Sequence, residues 1–352
     1  MGRRGLERSM TWGVAGATEV PAIGSRDRWA SGLLWPVHDP TFSPDALLMD
    51  ADAAIARRIS ANGLSFHVRV QGPEGAPLVV LLHGFPETGD AWTALAGALA
   101  AEGWRVAAPD LRGYGRSDKP EGVRAYVLDA LADDVLHLCS ALGHARFAVV
   151  GHDWGGVIAW HLAARDARRV RAACILNAPH PGSLPGFTLM HPMQLLRSTY
   201  VGFFQMPGVP EWLLGARDHA LLQRLLTGSS RPGTFDPARL AAYRQAWRED
   251  GALTGMLHWY RALPWSRPRM STIEVPVQVI WGDRDVALDA GLAEAGLRFC
   301  RQGASVHLPQ ASHWLHHEEP ERVAARTIDF LRRVAPPDAN GADPPATRET
   351  GA

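Results

Sequence analysis

Apolar residues recur along this chain in two periods, and the switch between them repeats. Arg57 to Ser60 and Leu64 to Val70 flank Asn62-Gly63, a dipeptide that favours a two-residue hairpin turn. Leu78-Val79-Val80-Leu81-Leu82 is apolar throughout, which suits a strand covered on both faces. Helical spacing follows at Trp92, Leu95 and Leu99, then a strand pattern over Trp104 to Ala108, then helical spacing again from Tyr126 to Leu142. Phe147 to Val150, Gly155 to Arg165 and Val170 to Leu176 continue the rhythm as strand, helix and strand. It resumes with Val275 to Trp281, Leu288 to Phe299, Ser305 to Pro309 and an amphipathic run from Glu318 to Arg333. Such alternation predicts an α/β architecture, a mostly parallel central sheet with helices on both faces.

Residues 178–268 break that rhythm. They are rich in proline and aromatics, among them His180-Pro181, His191-Pro192, Phe203-Phe204, Trp212, Trp247 and Trp259-Tyr260, with short helical patterns such as Leu221 to Leu226 and Leu240 to Trp247. This segment is expected to be a helical lid inserted between two strands of a core formed by residues 55–177 and 269–335. Ligands in open α/β sheets lie beyond the carboxyl ends of the strands, so a lid inserted there would roof the site. Residues 1–54, with Trp12, Trp29 and Trp35, are expected to be a loosely ordered extension, and 336–352 a disordered tail.

Composition narrows the function. The chain has 352 residues, of which 46% are hydrophobic, with 36 acids balancing 36 Lys plus Arg. It carries no basic block, so nucleic acid is not an expected partner. No run approaches ~18 apolar residues, so no membrane span is expected, and without a convincing export signal the expected location is cytoplasmic. Cys139, Cys174 and Cys300 are far apart within apolar segments and are expected as free thiols. There is no His-Glu-x-x-His, and the glycine-rich Asp110 to Ser117 matches neither a phosphate loop nor a dinucleotide fingerprint, so no metal or cofactor is implied. Apolar lid segments leave a homodimer open.

The chemistry concentrates at strand ends. Val149-Val150-Gly151-His152-Asp153-Trp154-Gly155-Gly156 reads as a strand, a sharp turn and a helix start, with glycines two residues either side of Asp153. That is the pattern of a nucleophile elbow, with a carboxylate where a serine esterase has its hydroxyl. Asp285 and His313 follow in the order nucleophile, acid, histidine, each just after an apolar strand. A carboxylate attacking carbon forms an ester; His313 would activate water against it, with Asp285 fixing the imidazole tautomer. Asp283 is a rival acid, more plausible as a loop group. The strand end His83-Gly84-Phe85-Pro86 should aim the Phe85 N–H into the site beside that of Trp154, forming an oxyanion hole. His152 is expected to pack or hydrogen-bond locally, and His316 and His317 to be solvated helix-start residues.

Together, His83 to Glu87, Asp110 to Pro120, Gly151 to Gly156, Trp281 to Asp285 and Ser312-His313-Trp314 resemble the epoxide hydrolase family of the α/β-hydrolase fold, over about residues 55–335. Haloalkane and haloacetate dehalogenases share the Asp elbow. The resemblance implies a small-molecule epoxide and water as substrates, and two lid tyrosines donating to the epoxide oxygen. Trp259-Tyr260-Arg261 resembles the segment bearing one of them. The other segment resembles Phe203 to Gly208, where Phe203 stands in place of a donor. Tyr200 lies three residues earlier, about one helical turn, and is the alternative donor.

Overall fold

The structure is a computed structural model and describes residues 54–337. The extension before residue 54 and the tail after residue 337 lie outside the described residues.

Eight strands form one sheet in the order β1-β2-β4-β3-β5-β6-β7-β8. β1 (Ile55–Ala61) and β2 (Leu64–Gln71) pair antiparallel around Asn62-Gly63, both at positive φ (51° and 72°), as the hairpin dipeptide requires. β2 also pairs antiparallel with β4 (Arg105–Pro109). From β4 onward every pair is parallel: β3 (Leu78–Leu82), β5 (Phe147–His152), β6 (Val170–Leu176), β7 (Val277–Gly282) and β8 (Gly303–Leu308).

Alternate residues of the central strands feed two cores. Leu78, Val80 and Leu82 of β3 face the layer containing α2 (Leu128–Ala141) and α3 (Trp154–Arg165). Val79 and Leu81 face the layer containing α1 (Thr93–Ala101) and α12 (Pro320–Val334). Every residue of β3 is buried, which explains an apolar run without alternation.

Between β6 and β7 the chain leaves the sheet for six helices: α4 (Leu184–Met190), α5 (Pro192–Arg197), α6 (Thr199–Phe204), α7 (Val209–Ser229), α8 (Pro237–Trp247) and α9 (Ala252–Arg261). These make the inserted helical region. α7 is two helical arms, because Ala216 to His219 leave helical geometry, with Arg217, Asp218 and His219 all at positive φ. After β7 come α10 (Gly291–Leu297) and α11 (Leu315–Glu318). Among the described residues, no helix is long and apolar enough to cross a membrane. Cys139, Cys174 and Cys300 are free thiols.

Candidate active site

The turn between β5 and α3 is tight enough to exclude side chains on both flanks. A Cβ on Gly155 would stand 2.0 Å from the Leu82 carbonyl oxygen, and one on Gly151 would stand 2.3 Å from the Gly155 carbonyl oxygen. Asp153 between them adopts φ 50° and ψ −120°, a conformation that a non-glycine residue holds only when its surroundings enforce it. Gly155→Ala should therefore push α3 off β3 at a cost of about 3 kcal/mol or more. Thermal unfolding would register this as a fall of several degrees; an unchanged midpoint would show the turn has slack.

Asp153 sits where β5 ends, and the neighbouring strand ends converge on it. The Phe85 N–H, beyond β3, donates to Asp153 Oδ1 at 3.0 Å. Trp154 opens α3, so its N–H is among the first-turn donors that a helix leaves unpaired. The other carboxylate oxygen, Oδ2, lies 3.8 Å from His313 Nε2.

On its far side His313 Nδ1–H donates to Asp285 Oδ2 at 2.7 Å. Asp285 is buried, and an unpaired carboxylate there would cost several kcal/mol. Four donors compensate it: His313, Asn177 Nδ2 at 2.7 Å on the same oxygen, and the Ala287 and Leu288 N–H groups at 2.8 and 2.9 Å on Oδ1. Burial alone would raise its pKa, but the His313 charge and these hydrogen bonds hold the carboxyl below its usual range. For His313, burial works toward a lower pKa, and the Asp285 carboxylate, seconded by Asp153, outweighs it and lifts the imidazole to about 9. Asp283, the rival acid, faces outward and pairs with His307 at 2.6 Å.

The lid supplies the opposite wall. Tyr260 on α9 is buried against Trp154, their rings edge-on at 5.1 Å, and Tyr200 on α6 stands edge-on to Tyr260 at 5.9 Å. Burial, reinforced by nearby Asp153, keeps both phenols protonated far above neutral pH. Tyr200 leaves 36% of its surface open where it lines the cavity, yet enough protein surrounds it for desolvation to dominate. Phe203, one position away from the Phe204 ring that touches Tyr260, does not line the cavity. The cavity measures about 800 Å³ and is walled mainly by apolar groups such as Leu128, Val157, Leu184 and Leu288 around Asp153.

A second buried cluster supports the first. His152 Nε2–H donates to the His313 carbonyl at 2.9 Å, joining the elbow to the loop that carries the imidazole. Glu87 is wholly buried and accepts from Tyr243 Oη at 2.9 Å and His317 Nε2 at 2.6 Å. The expectation of solvated His316 and His317 is corrected here. His316 is 5% exposed and the His317 side chain 2%, because both turn inward onto the Glu87 carboxylate. Glu87, His316 and His317 bring potential metal ligands within 4.8 Å of one another. However, Arg239 donates to His317 Nδ1 at 2.8 Å, which leaves the Nε2 proton for Glu87. Glu87 and His317, with Tyr243, thus form a hydrogen-bonded anchor for the loop bearing Phe85, and the His316 ring lies beside the carboxylate with Nε2 at 3.3 Å.

The sequence assigns no role to Asn177, and it shows Glu87 only as part of the His83 to Glu87 stretch, without its buried partners. Asn177 directly follows β6 at φ 38°, holding both Asp285 and the Gly282 backbone, and its position at a strand end was the only local signal.

Comparison with known proteins identifies the family and the fold. Residues 77–320 match the α/β hydrolase fold family. The chain is 39% identical over 285 residues to the AB hydrolase superfamily protein YfhM of Bacillus subtilis, covering 80% of this chain and 99% of that protein. It is 35% identical over 282 residues to human Epoxide hydrolase 4, covering 78% of each. A mutant epoxide hydrolase from Bacillus megaterium, solved with a naphthyloxy-propane diol product, superimposes with a TM-score of 0.72 at 27% identity, covering 78% of this chain and 100% of the other. With an inserted helical region over a mostly parallel sheet and these relatives along most of its length, the chain belongs to the epoxide hydrolase family of α/β-hydrolase-fold enzymes.

Proposed function

We propose that the protein hydrolyses a largely apolar epoxide to a vicinal diol through an ester on Asp153. The observation that carries this reading is one carboxylate sharing an apolar cavity with two lid phenols, Tyr260 buried and Tyr200 open to the cavity. In the first step an Asp153 oxygen attacks a ring carbon, the ring C–O bond breaks, and its electron pair passes to the departing oxygen. Tyr260 and Tyr200 donate to that oxygen, which a phenol can do and a phenylalanine cannot. An Asp elbow also suits carbon–halogen cleavage, but a halide leaves without needing a proton, so paired phenols favour the epoxide.

In the second step His313 takes a proton from water, and the hydroxide attacks the Asp153 carbonyl carbon. The Phe85 and Trp154 N–H groups hold the oxyanion until the ester C–O bond breaks and the His313 imidazolium gives its proton to the departing oxygen. The proton left on the regenerated Asp153 carboxyl replaces the one the phenols gave to the ring oxygen. Alkylation neutralises Asp153 and so removes one of the charges that keep His313 protonated, which favours the base form when it is needed.

A single turnover in H₂¹⁸O tests the ester. The diol of the first turnover should contain no label, because its new oxygen comes from Asp153, and the label should appear in the Asp153 carboxylate. Label in the first-turnover diol would mean direct hydration and would overturn the reading.

A further inference from the structure

Residues 178–210 contain one formally charged side chain, Arg197. Within that stretch α4 and α5 hold Leu189, Met190, Met193, Leu195 and Leu196 at 59–82% exposure. A monomer seldom leaves so many large apolar groups contiguous in water without a use for them. Across from them lies a second exposed apolar segment: Leu263 at 43%, Trp265 at 45% and Met270 at 54%. The second segment reaches the turn that leads into α4, where the Met270 sulfur lies against Gly182. Leu189 and Leu263 both line the cavity that holds Asp153 and are both exposed, so the cavity opens between the two segments.

The rim beside Trp265 is basic. The Arg124 guanidinium lies over the Trp265 ring at 5.8 Å, and Arg124, Arg267 and Arg269 are all exposed. An apolar patch edged by cations and an indole matches a phospholipid surface, with acyl chains below and phosphates above. A second copy of the chain seated on the patch would cover Leu189 and Leu263 and so close the way to Asp153. A bilayer leaves that way open and is itself the phase in which an apolar epoxide concentrates.

We propose that the cavity rim docks on an anionic phospholipid surface. α4 and α5 sit in the interfacial layer, Arg124, Arg267 and Arg269 lie over the phosphates, and substrate enters the cavity from the bilayer. The substrate clause rests on the epoxide reading above; the docking does not.

Flotation of the full chain with vesicles tests it. The wild-type protein should float with phosphatidylcholine–phosphatidylglycerol vesicles, less with phosphatidylcholine alone, and less as salt screens the arginines. Met193→Glu with Leu196→Glu should lower the vesicle-bound fraction by about tenfold or more, while hydrolysis of a water-miscible epoxide is unchanged. Arg267→Glu with Arg269→Glu should abolish the preference for the anionic lipid. Failure of the wild-type chain to float overturns the proposal. So does a dimer by light scattering that the Met193→Glu, Leu196→Glu pair converts to monomer, because the patch is then an interface between copies. Flotation needs no turnover, so its failure and a failure of the epoxide chemistry are read separately.

Discussion

His313→Gln should leave the protein covalently alkylated after one encounter with an epoxide. The glutamine keeps much of the volume and can still donate to Asp285 Oδ2, which His313 Nδ1 contacts at 2.7 Å, but it cannot take a proton from water. Attack by Asp153 needs no base, so the first step survives and the second fails. Steady-state diol formation should fall by roughly 10⁴-fold, near the upper end of what a general base contributes. Intact mass should rise by the mass of the whole epoxide, and peptide mapping should place the gain on Asp153. A gain equal to an alkyl halide minus its halide, with epoxides inert, would assign the carbon–halogen reaction instead. No gain from either class would remove Asp153 as the nucleophile.

The second large effect should come from the lid. Tyr200→Phe and Tyr260→Phe each remove one donor to the opening ring, and loss of such a donor costs on the order of 10²-fold or more. The double variant should fall below either single variant, though by less than their product where one phenol covers for the other. Pre-steady-state measurement separates this effect from that of His313. The rate of ester formation should drop, while hydrolysis of an ester already formed should continue at close to its former rate. If the Tyr200→Phe rate matched the wild type, Tyr260 alone would serve the oxygen and Tyr200 would be a packing residue.

The elbow was legible because its constraint is local. Gly151, Asp153 and Gly155 lie within five consecutive residues, and the Cβ clashes that require the glycines arise from that turn and the adjoining β3. Strand ends announced Asp285 and His313 in the same way, since each follows a run of apolar residues. The supporting contacts were not legible because they span the fold. Asn177 reaches Asp285 across 108 residues and His317 reaches Glu87 across 230. Nothing near His316 and His317 in the chain signals that a carboxylate lies beneath them, so their polarity suggested solvent.

Tyr200 shows the same limit on a smaller scale. Spacing put Tyr200 and Phe203 on neighbouring positions of one helix turn, and only the packing of α6 on α9 decides which ring is presented. Phe204, four residues from Tyr200, contacts Phe85 and Tyr260 with ring centroids 5.6 and 4.9 Å apart, and this orients the helix with Tyr200 toward Tyr260.

The position of the inserted helices also bears on how the protein is made. They lie between β6 and β7, so a ribosome has completed the elbow and all six of them before it reaches Asp285 and His313. The face of β3 that carries Val79 and Leu81 is covered partly by α12, which is synthesised later still. A nascent chain therefore carries Asp153, the proposed nucleophile, before it carries the proposed acid and base. Under the proposed mechanism, an electrophile that alkylated Asp153 then would not be released until His313 had been synthesised and placed. On the proposed mechanism, then, the residue that would form the ester is synthesised before the residues that would cleave it, and both steps together await β7, β8 and α12.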